Sequence, residues 1–319
     1  MVRRIDVTGA GGVHLAAWEF TEPPQGGRET RREPADGPAD GSDEGAEPDS
    51  APGVLLLHGL LGRASHWAPA ARLLGRRHRV VALDQRGHGH SDKPPEGPFA
   101  REAYIADAEA VIERLGLAPV TLVGHSMGAL TAWQLAARRP DLVRALVICD
   151  MRAAARGAAS QRQWEEWFRS WPLPFASLAD VRRWFGEEDA WTERPSPSRG
   201  DFFAEVMIER ADGWRPVFSR AQMLASRATW AHDAHWDELA QVSCPALVFR
   251  GFDGDLGRAE AQEMVRVLPR GQYAEVADGG HLVHYEQPAA WYAAIEPFLD
   301  AHCLDLAPDG DGVRTSGAG

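Results

Sequence analysis

The apolar residues of the chain fall into short runs that predict buried β-strands. Six such runs, the last the weakest, are VLLL (54–57), VVAL (80–83), VTLV (120–123), ALVIC (145–149), ALVF (246–249) and YAEV (273–276). Near-continuous apolarity is typical of strands that are covered on both faces. Helical patterns lie between several runs, over 101–115 and over 126–139, where Pro140 ends the second. The alternation predicts an α/β fold with a mostly parallel open sheet and helices on both faces.

The first twenty residues predict a different local structure. RIDVTGAGGVHLAAWEF (4–20) has two apolar stretches on either side of a glycine-rich turn, which is typical of a β-hairpin. We expect residues 1–20 and 53–150 to form the first part of one core, and residues 243–304 to form its last part.

Residues 151–242 differ in composition from the predicted core strands around them. Eight of the twelve tryptophans fall in this stretch, together with helical patterns over 160–170 and 219–230 and proline-rich breaks. We expect an inserted helical cap, here called the cap segment. Its aromatic content also suggests an apolar chamber for a small ligand.

Two segments are too polar to form a core. Residues 21–52 contain nine acidic residues and three arginines, which is half of the formal net charge of −12, and no aliphatic or aromatic side chain larger than alanine. Burial of such a segment cannot offset the entropy of ordering it. We therefore predict a disordered acidic insertion over 21–52 and a flexible tail over 305–319.

Composition and charge exclude several classes of function. The acidic balance of this 319-residue chain argues against binding to nucleic acid or to an anionic membrane, because both need a basic surface. No apolar run reaches the ~20 residues of a membrane helix, and no secretory signal is visible. The three cysteines are far apart and fit neither a disulfide framework nor a zinc site. We expect a cytoplasmic protein with a small-molecule substrate, and the sequence leaves its oligomeric state open.

Polar residues follow the apolar runs, at the edge where ligands bind to open parallel sheets. Gly124-His125-Ser126-Met127-Gly128 stands between a predicted strand and a predicted helix and fits the G-x-S-x-G nucleophile elbow. Candidate acids and His281 follow in the order serine, aspartate, histidine. A serine hydroxyl is a weak nucleophile that needs a histidine base oriented by a carboxylate, so this order indicates nucleophilic catalysis.

At these motifs the chain resembles the α/β-hydrolase superfamily, in its branch with a helical cap, over about 5–20 and 53–300. The resemblance implies Ser126 as the nucleophile and His281 as the general base. It also implies an oxyanion hole formed by the backbone N–H groups of Leu60 and Met127. No cofactor and no metal ion is expected for this chemistry.

The acid of the triad has three candidates. The usual family position is about three residues after the glycine that ends the strand, and the chain has Asp253 two residues and Asp255 four residues after Gly251. The spacing to His281 favours Asp253. Asp150 is a third option, since some members of the fold take the acid from the end of the preceding strand, ALVIC (145–149).

Other residues are candidates for lining or supporting the site. We expect His58 and His125 beside the nucleophile and Trp164 and Trp167 on the chamber side of the cap segment. A loop with Asp84, Arg86 and Ser91 matches the family's D-x-R-G-x-G-x-S pattern, which we interpret as structural support.

The resemblance predicts a cofactor-independent serine hydrolase that cleaves a small apolar ester or lactone through an acyl-enzyme. Related enzymes with aspartate at the elbow, the haloalkane dehalogenases and epoxide hydrolases, differ from this chain at Ser126. A carbon–carbon bond hydrolase or a perhydrolase of the same fold is the alternative enzyme. A ligand-binding receptor or carrier with little turnover is an alternative of a different class.

Overall fold

The structure is a computed structural model that describes residues 2–20, 51–95, 97–192 and 194–303. Nearly all of the predicted acidic insertion (21–52) and the whole predicted tail (305–319) lie outside the described residues, so both remain predictions.

In the residues that the structure describes, ten strands form a large sheet and a separate hairpin. They are β1 (Val2–Thr8), β2 (His14–Phe20), β3 (Gly53–Leu57), β4 (Arg79–Asp84), β5 (Val120–His125), β6 (Val143–Cys149), β7 (Met207–Arg210), β8 (Gly213–Pro216), β9 (Ala246–Gly251) and β10 (Gly271–Val276). Eight of them make one sheet in the order β1-β2-β4-β3-β5-β6-β9-β10. Strand β2 pairs antiparallel with β1 and β4, and the remaining pairs are parallel. The predicted mostly parallel sheet is therefore confirmed.

Helices lie on both faces of this sheet and in the cap segment. They are α1 (Ala68–Leu74), α2 (Arg101–Leu115), α3 (Met127–Arg138), α4 (Gly157–Ser170), α5 (Leu178–Arg183), α6 (Pro197–Glu205), α7 (Arg220–Ala228), α8 (Trp236–Ala240), α9 (Arg258–Val267), α10 (Val283–Glu286) and α11 (Pro288–His302). Side chains of α2, α3 and α9 belong to the apolar cluster on one face, and those of α1 and α11 to the cluster on the other. Strands β3 and β5 are buried along their whole length, as their apolar sequences require. In the part of the chain that the structure describes, no helix has the length and apolarity to cross a membrane.

The cap segment lies between β6 and β9 and contains α4 to α8 together with the β7–β8 hairpin. Sequence patterns predict only helices here, because the hairpin has a polar sequence that is half-buried or exposed over most of its length. The cap segment has an aromatic core of its own, in which the rings of Phe185 and Phe203 stack with centroids 3.9 Å apart. The rest of the described chain is here called the sheet domain. Among the contacts that join the cap segment to it, His66 stacks on Phe202 at 3.7 Å, and the Tyr285 hydroxyl donates to Glu205 at 2.9 Å.

Candidate active site

The G-x-S-x-G motif forms a tight turn between β5 and α3. Ser126 lies at its apex with φ 51° and ψ −124°, a conformation that is strained for a residue with a side chain. Glycines make the turn possible: a Cβ atom on Gly124 would lie 2.4 Å from the Gly128 oxygen, and one on Gly128 would lie 2.3 Å from the Leu57 oxygen. The local fold therefore matches the predicted elbow.

A buried carboxylate holds His281 in the loop after β10. The distance from His281 Nδ1 to Asp150 Oδ2 is 2.6 Å, and Asp150 is fully buried directly after β6. The same carboxylate accepts hydrogen bonds from the backbone N–H groups of Asp255 at 2.8 Å and Leu256 at 3.1 Å. Because three donors surround it, this carboxylate has a fixed orientation toward the imidazole.

The sequence-based preference for Asp253 at this position is therefore corrected. The Asp253 carboxylate pairs with Arg194 at 2.5 Å, and that of Asp255 pairs with Arg156 at 3.1 Å. Asp255 contributes its backbone N–H to the Asp150 carboxylate, and its own carboxylate does not contact His281 Nδ1. Of the three candidate acids, Asp150 is the one that holds the histidine.

Gly254 explains why the preceding strand supplies the carboxylate. It stands three residues after Gly251, at the usual family position of the acid. A Cβ atom on Gly254 would lie 2.4 to 2.6 Å from the carboxylate atoms of Asp150. The side chain of Asp150 thus occupies the space into which a side chain at position 254 would project.

The electrostatics of His281 differ from those of its histidine neighbours. Burial lowers the pKa of His281, but the charge of Asp255 and the hydrogen bond to Asp150 outweigh it and raise the pKa above its usual value. Burial lowers the pKa of His125 well below the usual range and that of His284 to about 3. The rings of both lie within 4.5 Å of another histidine ring of this group. His281 is thus flanked by neutral imidazoles, and its side chain remains 30 % exposed.

Two backbone N–H groups are available beside Ser126. Met127 is the first residue of α3, where an N–H group has no acceptor within its own helix. Within the described ranges, Leu60 N–H also donates no hydrogen bond. The loop of Leu60 lies against the start of α3, since a Cβ atom on Gly128 would be 2.6 Å from the His58 oxygen. This arrangement is compatible with the predicted oxyanion hole.

Three of the candidate lining or supporting residues, His58, His125 and Trp167, make buried contacts within the protein. His58 is buried and bonds Gly59 O through Nδ1 at 2.8 Å and Gln85 N through Nε2 at 3.0 Å. His125 is buried and its Nε2 bonds the backbone oxygen of His281 at 2.8 Å. Trp167 lies in the aromatic core of the cap segment and donates to Asp189 at 3.0 Å. The contacts of His58 and His125 fit the supporting role, whereas those of Trp167 lie within the cap segment.

Trp164 and the predicted support loop have other surroundings. Trp164 is half-buried at the edge of the aromatic core. The Asp84 carboxylate accepts the Ala64 N–H at 2.7 Å, and the Arg86 guanidinium forms a buried ion pair with Asp107 at 2.6 Å. The Ser91 hydroxyl accepts the Ala16 N–H at 2.8 Å. These contacts tie the loop after β4 to β2 and α2.

Two features are absent from the described residues: a hydrogen bond of Ser126 Oγ and a cluster of metal-binding side chains. Ser126 Oγ makes no hydrogen bond to another described residue. Among the described residues there is no group of three or more His, Cys, Asp or Glu side chains that could hold a metal ion.

Known proteins are similar to this chain in sequence and in fold. Residues 52–288 match the family model described as alpha/beta hydrolase fold. The chain is 29% identical over 262 residues to a 2-(acetamidomethylene)succinate hydrolase of Mesorhizobium japonicum, covering 80% of this chain and 90% of that protein. It is 27% identical over 255 residues to an sn-1-specific diacylglycerol lipase of Mus musculus, covering 78% of this chain and 81% of the lipase.

A solved structure agrees in fold. The crystal structure of an E-2-(acetamidomethylene)succinate hydrolase superposes with a TM-score of 0.75 at 24% sequence identity, covering 94% of this chain and all of that chain. At this identity the likeness concerns the fold alone. The family match, which spans most of the chain, the elbow and the sheet order lead to one conclusion: the chain is an enzyme of the alpha/beta hydrolase fold family.

Proposed function

We propose that the protein is a serine hydrolase that cleaves an ester or lactone through the triad Ser126, His281 and Asp150. The observation that carries this proposal is the 2.6 Å contact between His281 Nδ1 and the buried carboxylate of Asp150, beside a serine at a strained elbow. A carboxylate at Nδ1 fixes the imidazole so that Nε2 is free to accept a proton. The relative named as a diacylglycerol lipase supports ester cleavage.

The reaction follows from these positions. His281 Nε2 takes the hydroxyl proton as Ser126 Oγ bonds to the substrate carbonyl carbon, whose oxygen becomes an oxyanion. The N–H groups of Leu60 and Met127 stabilise that charge. Collapse breaks the bond to the leaving alkoxide, which receives the proton from His281. Water then attacks the acyl carbon as His281 Nε2 takes its proton. Collapse breaks the bond to Ser126 Oγ, which receives that proton from His281 as the acid leaves.

Labelling by a fluorophosphonate probe tests the nucleophile. We expect the wild-type protein to be labelled at Ser126 and the Ser126→Ala variant to be unlabelled, with loss of ester turnover by about 10⁴-fold or more. Gly124 and Gly128 are unchanged in this variant, so a matched melting temperature shows that the elbow is intact. A folded wild-type protein without label and without turnover would contradict the proposal and favour a binding protein.

A second candidate reaction is cleavage of a bond next to a carbonyl group in a compound that is not an ester. The relative named as a 2-(acetamidomethylene)succinate hydrolase favours this candidate. Both candidates use the same nucleophile, so a panel of esters, lactones, dienone acids and amidomethylene acids distinguishes them by the class that is turned over. A perhydrolase would instead form a peracid from acetate and hydrogen peroxide.

A further inference from the structure

Arg227 on α7 is a buried cation without a carboxylate partner. Its side chain is 1 % exposed. The guanidinium donates to two neutral groups on α4, from Nη1 to Gln161 Oε1 and from Nη2 to Ser160 Oγ, each at 2.6 Å. Its Nε atom is buried and has no partner in the part of the chain that the structure describes. One nitrogen of a fully buried cation thus makes no hydrogen bond.

Two other arginines have the carboxylate partner that Arg227 lacks. Arg86 and Arg199 are paired with Asp107 and Asp189, respectively, at 2.6 Å each. A buried charge without a counter-charge is destabilising, because the protein interior solvates it less well than water does. The faces of Trp164 and Trp230 lie 5.0 and 5.6 Å from the Arg227 guanidinium carbon and offset part of this loss. Burial lowers the pKa of Arg227 to about 10, so the group is still charged at neutral pH.

The position of Arg227 connects it to the active site. The preceding residue, Ser226, has its hydroxyl 3.8 Å from the sulfur of Met127, the residue next to the nucleophile. The Arg227 oxygen accepts the Ala231 N–H at 2.9 Å, and the Ala231 oxygen accepts the Arg156 N–H at 2.8 Å. Helix α7 therefore lies over the start of α3, on the cap side of the site.

Arg156 is a second cation close to this part of the site, but its charge is paired within the protein. Its guanidinium pairs with Asp255, whose backbone N–H bonds the Asp150 carboxylate. The charge of Arg156 is therefore already neutralised by the protein. Among the described residues no carboxylate lies within ion-pair distance of Arg227, although the charge of Asp255 raises its pKa from farther away.

We propose that Arg227 binds a carboxylate group of the substrate, so that the substrates are carbonyl compounds that also carry a carboxylate. The unpartnered Nε–H and the positive charge suit a carboxylate oxygen, and the flanking indole rings would contact the apolar part of such a molecule. This inference rests on the proposed function and replaces the apolar substrate expected from the sequence with an anionic one. The negative charge would be supplied by the ligand rather than by the protein.

Two esters that differ in one terminal group test the substrate class. The 4-nitrophenyl monoester of adipic acid ends in a carboxylate, and 4-nitrophenyl hexanoate has the same six-carbon acyl chain with a methyl end. We expect wild-type kcat/KM to be at least about tenfold higher for the adipate monoester. Equal values, or a preference for the hexanoate, would overturn the inference without any variant.

Variants test the residue. In Arg227→Met we expect the adipate-to-hexanoate ratio of kcat/KM to fall about tenfold or more, with the hexanoate itself changed less than about threefold. Arg227→Lys keeps the charge and should retain part of the preference, and it serves as the second variant if Arg227→Met does not fold. An unchanged ratio in either folded variant would show that Arg227 is structural.

A matched control uses a second buried arginine with neutral partners. Arg101 on α2 is 5 % exposed and bonds Gln134 and Thr131 of α3. We expect Arg101→Met to leave the ratio of the two esters unchanged, and a fall equal to that of Arg227→Met would contradict the assignment. Fluorophosphonate labelling separates the two proposals: labelled protein that turns over both esters equally refutes only the carboxylate site, whereas absence of label and turnover refutes the hydrolase.

Discussion

A buried arginine of the sheet domain and a buried arginine of the cap segment differ in the groups that contact their charge. In the sheet domain, Arg86 is fully buried and two of its nitrogens contact the Asp107 carboxylate at 2.6 and 2.7 Å. In the cap segment, Arg227 is buried to the same degree and bonds only a hydroxyl and an amide oxygen. The charge of Arg86 is thus paired within the sheet domain, whereas Arg227 retains a positive charge that a ligand can neutralise. The expected consequence is that charge in the sheet domain maintains the fold and the triad, and charge in the cap segment selects the substrate.

The strongest test of the sheet domain concerns the triad acid. We expect Asp150→Asn to reduce kcat by about 10²–10⁴-fold, because the amide no longer stabilises the protonated imidazole. Asp253→Asn is the matched control, since Asp253 pairs with Arg194 on the surface, and its kcat should stay near that of the wild type. Steady-state kinetics of both variants on one ester measure kcat. Near-normal turnover in Asp150→Asn would show that another group orients His281.

The two arginines should differ in their effect on stability. Arg86→Met leaves the buried Asp107 carboxylate unpaired, and we expect the free energy of unfolding to fall by about 3–5 kcal/mol. Arg227→Met leaves no carboxylate behind, and its partners Ser160 and Gln161 are partly exposed, so a loss of about 1 kcal/mol or less is expected. Urea denaturation measures both. Equal losses in the free energy of unfolding would contradict the difference proposed between the two arginines.

Moving the acid tests the role of Gly254. A Cβ atom on Gly254 would lie against the Asp150 carboxylate, so removal of that carboxylate creates room for a side chain at position 254. We expect the double variant Asp150→Gly/Gly254→Asp to recover kcat by about tenfold over Asp150→Gly alone. The control is Asp150→Gly/Gly254→Asn, which supplies a similar volume without the charge. Recovery in the control as well would mean that packing, and not the carboxylate, is restored.

The pH profile should show the smallest effect. His281 must be neutral to act as a base, so kcat/KM rises with pH as the imidazolium loses its proton, and a raised pKa places the midpoint above the usual value for histidine. Asp255→Asn removes a negative charge that favours the imidazolium, so the midpoint should move to lower pH. Asp253→Asn is the control and should move it less. A midpoint that stays fixed or rises in Asp255→Asn would contradict this electrostatic account.

The sheet and the elbow could be predicted from local patterns. The apolar runs at 54–57 and 120–123 became β3 and β5, because fully buried strands need continuous apolarity. Ser126 was recognisable because its motif, strand and helix are contiguous in the sequence. The predicted helix 101–115 coincides with α2.

The acid and the cap side of the site depend on contacts between distant segments. Asp150 and His281 are 131 positions apart, and spacing within one loop cannot reveal which carboxylate reaches across from a neighbouring strand. Gly254 was the available signal, since a glycine at the usual position of the acid leaves room for another side chain. Arg227 gave no signal, because an arginine in a helix is ordinarily exposed and only the packing of α4 and α7 buries it.

The replacement of the side chain at position 254 has a consequence for recognising enzymes from sequence motifs. A search pattern that demands an aspartate three residues after Gly251 would discard this chain as a hydrolase that has lost its acid. A pattern that accepts glycine at that position, provided that an aspartate follows the preceding core strand as Asp150 follows β6, would keep it. Under the proposed triad, the two positions of this chain count as one alternative site, so that loss of the acid is inferred only when both lack a carboxylate.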